Sequence, residues 1–358
     1  MNTNLQSFCI TPDRTVGEAA ALMDCNGLRI VVVVDQDGRL RGTVTDGDLR
    51  RAMLARLDMS QSVTSLLDRK AGSAYAKPVT GPAEADRAAY LRLLQDHRLH
   101  HLPIVDAQQR VVGLVTLDEF VTGEPLPLQA VIMAGGRGKR LHPLTEQTPK
   151  PMLPVGDRPL LELIIEQLKE SGIRRVNVTT HHQSEKITEH FGDGRKFGVD
   201  ITYVTEDRPL GTAGGLGLMA PSTDTMLVLN GDILTQVDFH AMLAFHRGHQ
   251  ADLTVAVRQY DVQVPFGVVE CNGELVRCLT EKPVLNFFVN GGMYLIEPSV
   301  FEHFPSGERF DMTDLIQRLI ERGRKVVSFP VREYWLDIGQ PADYEQAQIY
   351  AKSKKEPS

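Results

Sequence analysis

The sequence lacks the features that mark several large classes of protein. Its four cysteines, Cys9, Cys25, Cys271 and Cys278, form neither a C-x-x-C pair nor a metal-binding spacing, and we interpret them as reduced thiols of the cytoplasm. The apolar run at residues 30–34 is far too short to span a bilayer, and no basic segment followed by an apolar core indicates a secretory signal. A net charge of −7, without a basic stripe interleaved with aromatic residues, argues against nucleic acid as a partner. We therefore expect a cytoplasmic protein that binds neither membranes nor nucleic acid.

The chain of 358 residues is long enough for two or three domains, and its composition is ordinary for a globular protein. Residues 1–122 contain an imperfect internal repeat, with copies at about 8–58 and 76–122. Each copy predicts a helix, a strand, a turn, a second strand, the pattern Gly-x-x-Thr-x-x-Asp/Glu and a final helix. Gly42 and Gly113 hold matching positions 71 residues apart, which indicates a pair of units rather than a longer array.

This repeat resembles two CBS motifs that form one Bateman module, a domain of the α+β class. In that family a strand-end hydroxyl and the acidic residue three positions later hold the phosphate and ribose of adenosine nucleotides. The resemblance implies Thr45 and Asp48 as ligands in the first copy, and Thr116 and Glu119 in the second. The alternative is that both threonines only cap helices and that the module only mediates dimerisation. In either case we expect a homodimer or a larger homo-oligomer.

A Pro-rich stretch at 123–127 predicts a stiff linker, residues 128–350 form a second domain, and residues 351–358 form a polar tail. In the second domain, short apolar strands alternate with amphipathic helices. This alternation predicts a three-layer α/β domain with a mixed, mostly parallel sheet. Ligands in such sheets bind at the carboxyl ends of the strands. Both a glycine-rich loop and Asp232 follow predicted strands, so we expect them at that edge.

The stretch 128–151, LQAVIMAGGRGKRLHPLTEQTPKP, carries the strongest functional signal. A buried strand ends in Gly135, Gly136 and Gly138, which let backbone N–H groups approach phosphate oxygens closely. Arg140 follows on the loop, and Lys150 lies between two prolines that fix its direction. An anion cradle and two cations at a strand end predict a triphosphate site. The spacing matches neither a Walker A loop nor the dinucleotide G-x-G-x-x-G pattern.

The same stretch resembles the signature of the sugar-1-phosphate nucleotidyltransferases, G-G-x-G-T-R-L-x-P-x-T followed by P-K-P. Lys139 departs from it, because the family usually has Thr or Ser there. Further motifs of the family follow in the expected order across 128–350: Gly211, Phe266-Gly267-Val268, Glu281-Lys282-Pro283 and Asn290-Gly291-Gly292.

The resemblance implies a role for each matched residue. Asp232 and Asp337 bind Mg²⁺, while Arg140 and Lys150 stabilise charge on the α-phosphate, so that Arg140, Lys150 and Asp232 are the catalytic residues. The nucleotide-binding set is Gly135, Gly136, Gly138 and Gly211, and the sugar-phosphate set is Gly267, Glu281, Lys282 and Asn290.

Glu206 bears on the choice of base. Thymidylyl and uridylyl enzymes of the family often have Gln at this position, and a carboxylate can accept from the N1–H and the exocyclic amine of guanine together. We therefore favour GTP, with a solvated Glu206 or a Glu206–Arg208 pair as alternatives. Together with the CBS pair, the chain resembles bacterial guanylyltransferases that act on glucosamine 1-phosphate or a related hexose phosphate such as mannose 1-phosphate. Those enzymes serve surface glycan synthesis, including nonulosonate-type pathways.

The expected reaction converts an NTP and a hexose 1-phosphate into an NDP-hexose and pyrophosphate, with Mg²⁺ as cofactor. Two alternatives stay open at this point. One is a nucleotide-sensing regulatory protein with a non-catalytic transferase domain, and the other is a cytidylyltransferase for an alcohol phosphate.

Overall fold

The computed structural model describes residues 1–73, 76–97, 99–120, 126–136, 138–305 and 307–353, except for the side chain of Asp118. It divides into two compact units, Met1–Glu124 and Pro125–Ser358. Residues 123–125 of the expected linker and 354–358 of the expected tail lie outside the described residues, while 351–353 belong to the last helix. In the described part of the chain, no helix is both long and apolar enough to cross a membrane.

The first unit consists of two copies of one small α+β arrangement. Its elements are, in chain order, β1 Cys9–Ile10, α1 Val16–Asn26, β2 Ile30–Val34, β3 Leu40–Thr45, α2 Asp46–Leu54, α3 Thr64–Lys70, β4 Gly81–Pro82, α4 Arg87–Asp96, β5 His101–Val105 and β6 Val111–Thr116. Strands β1-β2-β3 form one sheet and β4-β5-β6 another, each with a parallel first pair and an antiparallel second pair. Gly42 lies opposite Val33 and Gly113 opposite Ile104, each beside a register shift, so the matching glycines hold the same place in both copies.

The second unit contains the following helices and strands: β7 Gln129–Met133, β8 Pro154–Val155, β9 Arg158–Pro159, α5 Leu160–Glu170, β10 Arg175–Thr180, α6 Ser184–Phe191, β11 Asp200–Thr205, α7 Gly211–Gly214, β12 Met226–Asn230, β13 Ile233–Thr235, α8 Phe239–His249, β14 Leu253–Gln263, β15 Val268–Asn272, β16 Leu275–Thr280, β17 Val284–Ile296, α9 Met312–Glu321, β18 Val326–Val331, β19 Trp335–Asp337 and α10 Pro341–Ser353.

A seven-stranded sheet, in the order β11-β10-β7-β12-β17-β14-β18, forms the middle layer. Only β17 runs antiparallel to its neighbours. Side chains of β7 alternate between two apolar clusters, since Ala130 and Ile132 pack in one and Val131 in the other. Helices α5, α6, α8 and α10 cover the first face, and α7 and α9 cover the second. The expected three-layer, mostly parallel α/β domain after an α+β domain is therefore confirmed.

Two strands are much longer than the sequence predicts. The apolar pattern of the sequence predicts strands at 253–257 and 292–296, whereas β14 continues to Gln263 and β17 begins at Val284. Between them, β15 and β16 pair around a turn at Gly273, whose φ is +59°. Residues 259–288 thus form one long antiparallel excursion from the sheet, which we call the arm.

Candidate active site

Four parallel strands end at the same edge of the large sheet. The signature loop follows β7, His181 follows β10, Glu206 follows β11, and Asp232 lies two residues after β12. Backbone bonds hold these ends together: the amide of Gly231 donates to the carbonyl of Met133 at 2.9 Å, and the amide of Glu206 donates to Thr180 at 2.8 Å. The glycine loop and Asp232 therefore lie side by side, as sequence reasoning places them.

The signature loop is held in shape by its own side chains. Gly138 has a φ of +62°, and a Cβ at this position would lie 2.8 Å from Cγ2 of Thr145. The hydroxyl of Thr145 donates to the carbonyl of Gly138 at 2.8 Å, which closes the loop. Gly136 differs, because its Cβ position has no atom within 4 Å among the described residues beyond its chain neighbours. Gly138 is thus required by packing, while Gly136 faces open space.

Asp232 and Asp337 come together through a short antiparallel pair of strands. Ile233 of β13 lies opposite Asp337 of β19, and the amide of Ile338 donates to the carbonyl of Asp232 at 3.0 Å. The ammonium group of Lys150, a residue that is only 8% exposed, contacts Oδ2 of Asp232. Two acidic residues from distant parts of the chain and one buried cation therefore share a single corner of the fold.

This corner leaves negative charge incompletely satisfied. Oδ1 of Asp232 and Oδ1 of Asp337 are both buried, and neither has a hydrogen-bond partner among the described residues. Burial raises the pKa of the Asp337 carboxyl and the Asp232 carboxylate raises it further, while Lys150 and Arg140 oppose both effects. Unpaired buried carboxylate oxygens are costly unless a cation or donor completes them.

The donor set fits Mg²⁺. This ion commonly takes one or two carboxylates and fills its other positions with water and substrate phosphate oxygens. Over the described ranges, no cluster of three or more His, Cys, Asp or Glu side chains is arranged to hold a metal. A two-carboxylate site beside a phosphate-binding loop matches the ligand habits of magnesium better than those of zinc.

A cavity of about 330 Å³ opens beside this corner. Its lining consists of Gly136, Gly138, Lys139, Arg140, Leu141, Lys150, Asp232 and Gly339. The guanidinium of Arg140 lies 3.5 Å from the position of a Cβ on Gly339, two residues after Asp337. The cavity thus presents three cations and one metal-type carboxylate around an open glycine backbone, which suits a polyphosphate.

Glu206 is enclosed rather than solvated. It is 6% exposed, and its Oε2 accepts from the amide of Leu210 at 3.0 Å. Its Oε1 lies 3.6 Å from the Cβ position of Gly135 in the signature loop. Arg208 donates instead to the carbonyl of Gly307 at 2.8 Å. Burial raises the pKa of Glu206, which the Leu210 amide and His181 partly oppose.

Gly211 has a packing reason of its own. Its φ is +83°, and a Cβ there would lie 2.5 Å from Oδ1 of Asp311 and 2.7 Å from the carbonyl of Phe310. A side chain at this position would therefore displace the segment before α9. This need for glycine does not depend on any ligand.

The sugar-phosphate set lies in and beside the arm. A Cβ on Gly267 would lie 2.9 Å from Oε2 of Glu281, so these two motifs meet where the arm is interrupted. Lys282 has a φ of +44°, an unusual value for a lysine. Oδ1 of Asn290 accepts from the amide of Gly292 at 2.9 Å and from the hydroxyl of Tyr294 at 3.0 Å. Among the described residues, none of the four lines the cavity beside Asp232.

Sequence reasoning missed two residues of this edge. Oδ1 of Asn230 is buried without a partner in the described part of the chain, and its Nδ2 lies 2.6 Å from the Cβ position of Gly292. His181 lies beside Gly135 and its Nδ1 contacts the carbonyl of Glu206 at 2.8 Å. Each directly ends or follows a parallel strand, which is the signal that could have identified it.

In the first unit, both predicted ligand pairs form capping boxes. Asp48 accepts from the amide and the hydroxyl of Thr45, each at 2.9 Å, and also contacts Lys70 and Arg51. In the second copy, the amide of Thr116 donates to Glu119 at 3.2 Å. Four donors already occupy the carboxylate of Asp48, about as many as such a group accepts.

Comparison with known proteins gives two family matches. The sequence model of the nucleotidyl transferase family matches residues 129–354, and the CBS domain model matches 1–55 and 78–123. The D-glycero-α-D-manno-heptose 1-phosphate guanylyltransferase of Aneurinibacillus thermoaerophilus is 32% identical over 225 residues, which are 62% of this chain and 97% of that protein.

Two longer relatives match over a similar span. The mannose-1-phosphate guanylyltransferase of Mycobacterium tuberculosis is 35% identical over 225 residues, 61% of this chain and 62% of the relative. The UTP–glucose-1-phosphate uridylyltransferase of Synechocystis is 33% identical over 242 residues, 62% of each chain. The chain therefore spans about three fifths of the length of these curated relatives.

Among solved structures, a putative glucose-1-phosphate thymidylyltransferase from Bacillus anthracis, in complex with a sucrose, is similar to the second unit. The match has a TM-score of 0.52 and 27% identity, and it covers 63% of this chain and 95% of the other.

Proposed function

Because this chain belongs to the nucleotidyl transferase family, we propose that it transfers a nucleotidyl group from an NTP to a hexose 1-phosphate and releases pyrophosphate. The observation that carries the proposal is the corner where Asp232 and Asp337 each bury an unpartnered oxygen beside Lys150, next to a cavity that Asp232 and Lys150 line. The buried oxygen of each carboxylate that lacks a partner weakens the fold in the absence of a ligand, so this corner suits a site that binds a cation.

The chemistry follows from the placement of charge. An oxygen of the sugar phosphate attacks the α-phosphorus, the bond to the β-phosphate oxygen breaks, and pyrophosphate leaves. The nucleophile is already an anion, so no general base is needed, and positioning and charge stabilisation carry the rate. Lys150 and Arg140, which line the cavity, would stabilise the negative charge that develops at the α-phosphate. Asp232 and Asp337 would hold Mg²⁺, which neutralises charge on the phosphates when it is bound.

We propose GTP as the favoured nucleotide. Glu206 is buried at the strand edge with Oε1 facing the signature loop, and both of its oxygens keep acceptor capacity beyond the bond from Leu210. Two of the relatives named above are guanylyltransferases, while one is a uridylyltransferase, so the base is a question for experiment. The proposed product is an activated hexose of the mannose or glucosamine type for surface glycan synthesis.

The first unit is proposed to join chains into a homo-oligomer, and adenine nucleotide binding at Thr45, Asp48, Thr116 and Glu119 stays a prediction. Occupation of Asp48 by four donors means that a ribose would have to displace one of them. A thermal shift of the full chain with AMP, ADP and ATP, each without Mg²⁺, tests this prediction apart from any binding at the second unit.

Pyrophosphate release measures the proposed activity directly. The assay combines each of ATP, GTP, CTP, UTP and dTTP with glucosamine, mannose and glucose 1-phosphates, with and without Mg²⁺. We expect turnover with GTP and one of these sugars, and a loss of at least about a hundredfold, ~2.7 kcal/mol, in Asp232→Asn. Asp193→Asn, a change at an exposed carboxylate far along the chain, is the matched control and should retain full turnover.

The alternatives predict other outcomes of the same assay. Turnover with UTP or dTTP and none with GTP would remove the argument from Glu206. Turnover only with CTP and an alcohol phosphate such as choline or ribitol phosphate would make the protein a cytidylyltransferase. Nucleotide binding without any pyrophosphate release would indicate the regulatory protein.

A further inference from the structure

The loop at residues 206–216, which contains Glu206 and Gly211, is bonded to the segment that leads into α9. The amide of Phe310 donates to the carbonyl of Leu210 at 2.8 Å. The carbonyl of Phe310 accepts from the amide of Ala213 at 2.9 Å. Leu210 and Ala213 flank Gly211 in the chain, so Phe310 holds the loop on both sides of this glycine.

Two side chains cross between the loop and this segment. Oδ1 of Asp311 accepts from the amide and the hydroxyl of Thr212, at 2.8 and 3.3 Å. The hydroxyl of Thr212 accepts in turn from the amide of Met312 at 2.8 Å. Asp311 thus caps the first turn of α7, and Thr212 caps the first turn of α9, although the two residues are 99 positions apart in the chain. These reciprocal caps, which we call the crossed caps, fix the starts of α7 and α9 against each other.

The position of Glu206 depends on the same segment. Oε2 of Glu206 accepts from the amide of Leu210 at 3.0 Å, and the carbonyl of Leu210 accepts from Phe310. A series of hydrogen bonds therefore runs from the segment before α9 to the carboxylate of Glu206. Gly211 lies directly against the same segment, because its Cβ position is 2.5 Å from Oδ1 of Asp311. A shift of Asp311 would move both Gly211 and Glu206.

Apolar packing lies beneath the crossed caps. Ala213 and Leu216 of the loop share one buried cluster with Phe310, Met312 and Leu315 of the other segment. Apolar burial is non-directional, whereas a hydrogen bond depends on distance and angle. The packing therefore attaches the loop to α9, and the crossed caps determine where the backbone of the loop lies. Removing one cap should leave the unit folded while it loosens the loop.

We propose that Asp311 and Thr212 are positioning residues for the nucleotide, because their crossed caps hold Gly211 and Glu206 where the base binds. Neither belongs to the nucleotide-binding set that the sequence predicts. This role rests on the proposed function, in which the base lies against Gly211 and Glu206. A displacement of about 1 Å in a positioned group can change a rate by about a hundredfold. The effect should fall on the nucleotide and on base selectivity, since the proposed sugar-phosphate set lies in and beside the arm.

The test compares caps that join the loop to α9 with a cap that does not. Asp311→Ala and Thr212→Val each remove crossed bonds, whereas Asp311→Asn and Thr212→Ser each keep the side-chain oxygen that accepts. Asp314→Ala is the matched control, because Oδ2 of Asp314 accepts from the amide of Asp311 at 2.9 Å and this bond stays at the start of α9. Each alanine or valine variant should lower the melting temperature of the second unit by a similar amount, about 1–8 °C.

Isothermal titration calorimetry of the full chain with each of the five NTPs and Mg²⁺ measures the positioning role. For the NTP that the wild type binds best, Kd should rise at least about tenfold in Asp311→Ala and Thr212→Val. It should stay within about twofold of the wild type in Asp311→Asn, Thr212→Ser and Asp314→Ala. In pyrophosphate release, KM for this NTP should rise while KM for the sugar phosphate is unchanged. The preference for this NTP over the other four should also fall.

Hydrogen exchange without nucleotide gives a second measurement of the loop. Peptides that contain Thr212 and Ala213 should exchange faster in Asp311→Ala than in the wild type, and should be unchanged in Asp314→Ala. Equal exchange in Asp311→Ala and the wild type would overturn the proposal.

The binding data separate this role from the proposed function. A wild type that binds none of the five NTPs would refute the proposed function and the positioning role together. Binding by the wild type with an unchanged Kd in Asp311→Ala and Thr212→Val would refute the positioning role alone. An equal loss of affinity in Asp314→Ala would also refute it, since weakening the start of α9 would then suffice.

Discussion

The same substitution should affect stability at one glycine of the signature loop and nucleotide binding at another. Gly138→Ala places a methyl group at a φ of +62° and 2.8 Å from Cγ2 of Thr145. The left-handed backbone costs roughly 1–2 kcal/mol for an alanine, and relieving the contact costs roughly another 1–2 kcal/mol. At roughly 2–4 °C per kcal/mol for a domain of this size, the melting temperature of the second unit should fall by about 4–16 °C.

Gly136→Ala should leave the fold intact and impair nucleotide binding. Apart from its chain neighbours, no atom of the described chain lies within 4 Å of its Cβ position, and the residue lines the cavity beside Asp232. The stability should therefore change by less than about 0.5 kcal/mol. If phosphate oxygens approach the backbone here, as we propose, the added methyl group takes their space, so KM for the NTP should rise about tenfold or more, equivalent to ~1.4 kcal/mol.

Differential scanning calorimetry of the full chain, with steady-state pyrophosphate release, separates the two effects. In the wild-type protein, the thermal transition of the second unit is the one that should move to higher temperature when Mg²⁺ and NTP are added. A Gly138→Ala variant that melts with the wild type would show that the loop does not have the described geometry. An unchanged KM in Gly136→Ala would show that the nucleotide lies elsewhere.

Three further substitutions test the electrostatics of the two units. Asp337→Asn removes a buried carboxylate beside Asp232, so the metal-free protein should melt higher, while the Mg²⁺-induced shift disappears in calorimetry and turnover falls about a hundredfold. Glu206→Gln should lower kcat/KM for GTP about tenfold relative to UTP. The raised pKa of Glu206 means that its ionisation destabilises the fold as pH rises through that pKa, so the variant should gain stability at pH 8 relative to pH 5 in urea titrations. Burial alone would raise the pKa of Asp48, yet Lys70 and its other donors hold it below the ordinary value, so the first unit should lose stability as pH falls through that lowered pKa. Lys70→Met should lower the free energy of unfolding of the first unit by about 3–5 kcal/mol at pH 7. It should also reverse the pH dependence of this stability, because burial then dominates the pKa of Asp48. An unchanged pH profile in urea titrations would refute the Asp48–Lys70 pairing.

Much of the fold was predictable because local sequence carries it. Apolar strands alternating with amphipathic helices predicted the three-layer α/β domain, and the repeated N-terminal pattern predicted two matching units, each of which contains a three-stranded sheet of the same topology. The strands of the arm were underpredicted for a physical reason. Residues 259–263 and 284–288 carry the pattern of a half-buried strand pair, but their large apolar residues are exposed in the single chain. No contact with a core therefore sets the ends of these strands, and the sequence pattern does not show how far the strands continue.

The environment of Glu206 could not be read from its neighbours in sequence. It lies in a polar run, Thr205-Glu206-Asp207-Arg208, where a solvated carboxylate or a pair with Arg208 is the ordinary expectation. Packing of Gly135 and Gly215 against its side chain buries it instead. A Cβ on Gly215 would lie 2.7 Å from Oε1, so a glycine that looks like a turn residue in the sequence makes room for this carboxylate.

The sequence by itself determined which backbone conformations the loop can adopt, because the freedom of glycine and the constraint of proline are local. Gly138 permits the left-handed turn of the loop, and the two prolines around Lys150 restrict the direction of the chain at this lysine. Only the tertiary structure decided that Asp232 and Asp337 share one corner with two buried oxygens unpartnered in the described chain. That outcome depends on the register of β13 against β19 and on burial by the rest of the unit, and neither is encoded within a few residues of either carboxylate.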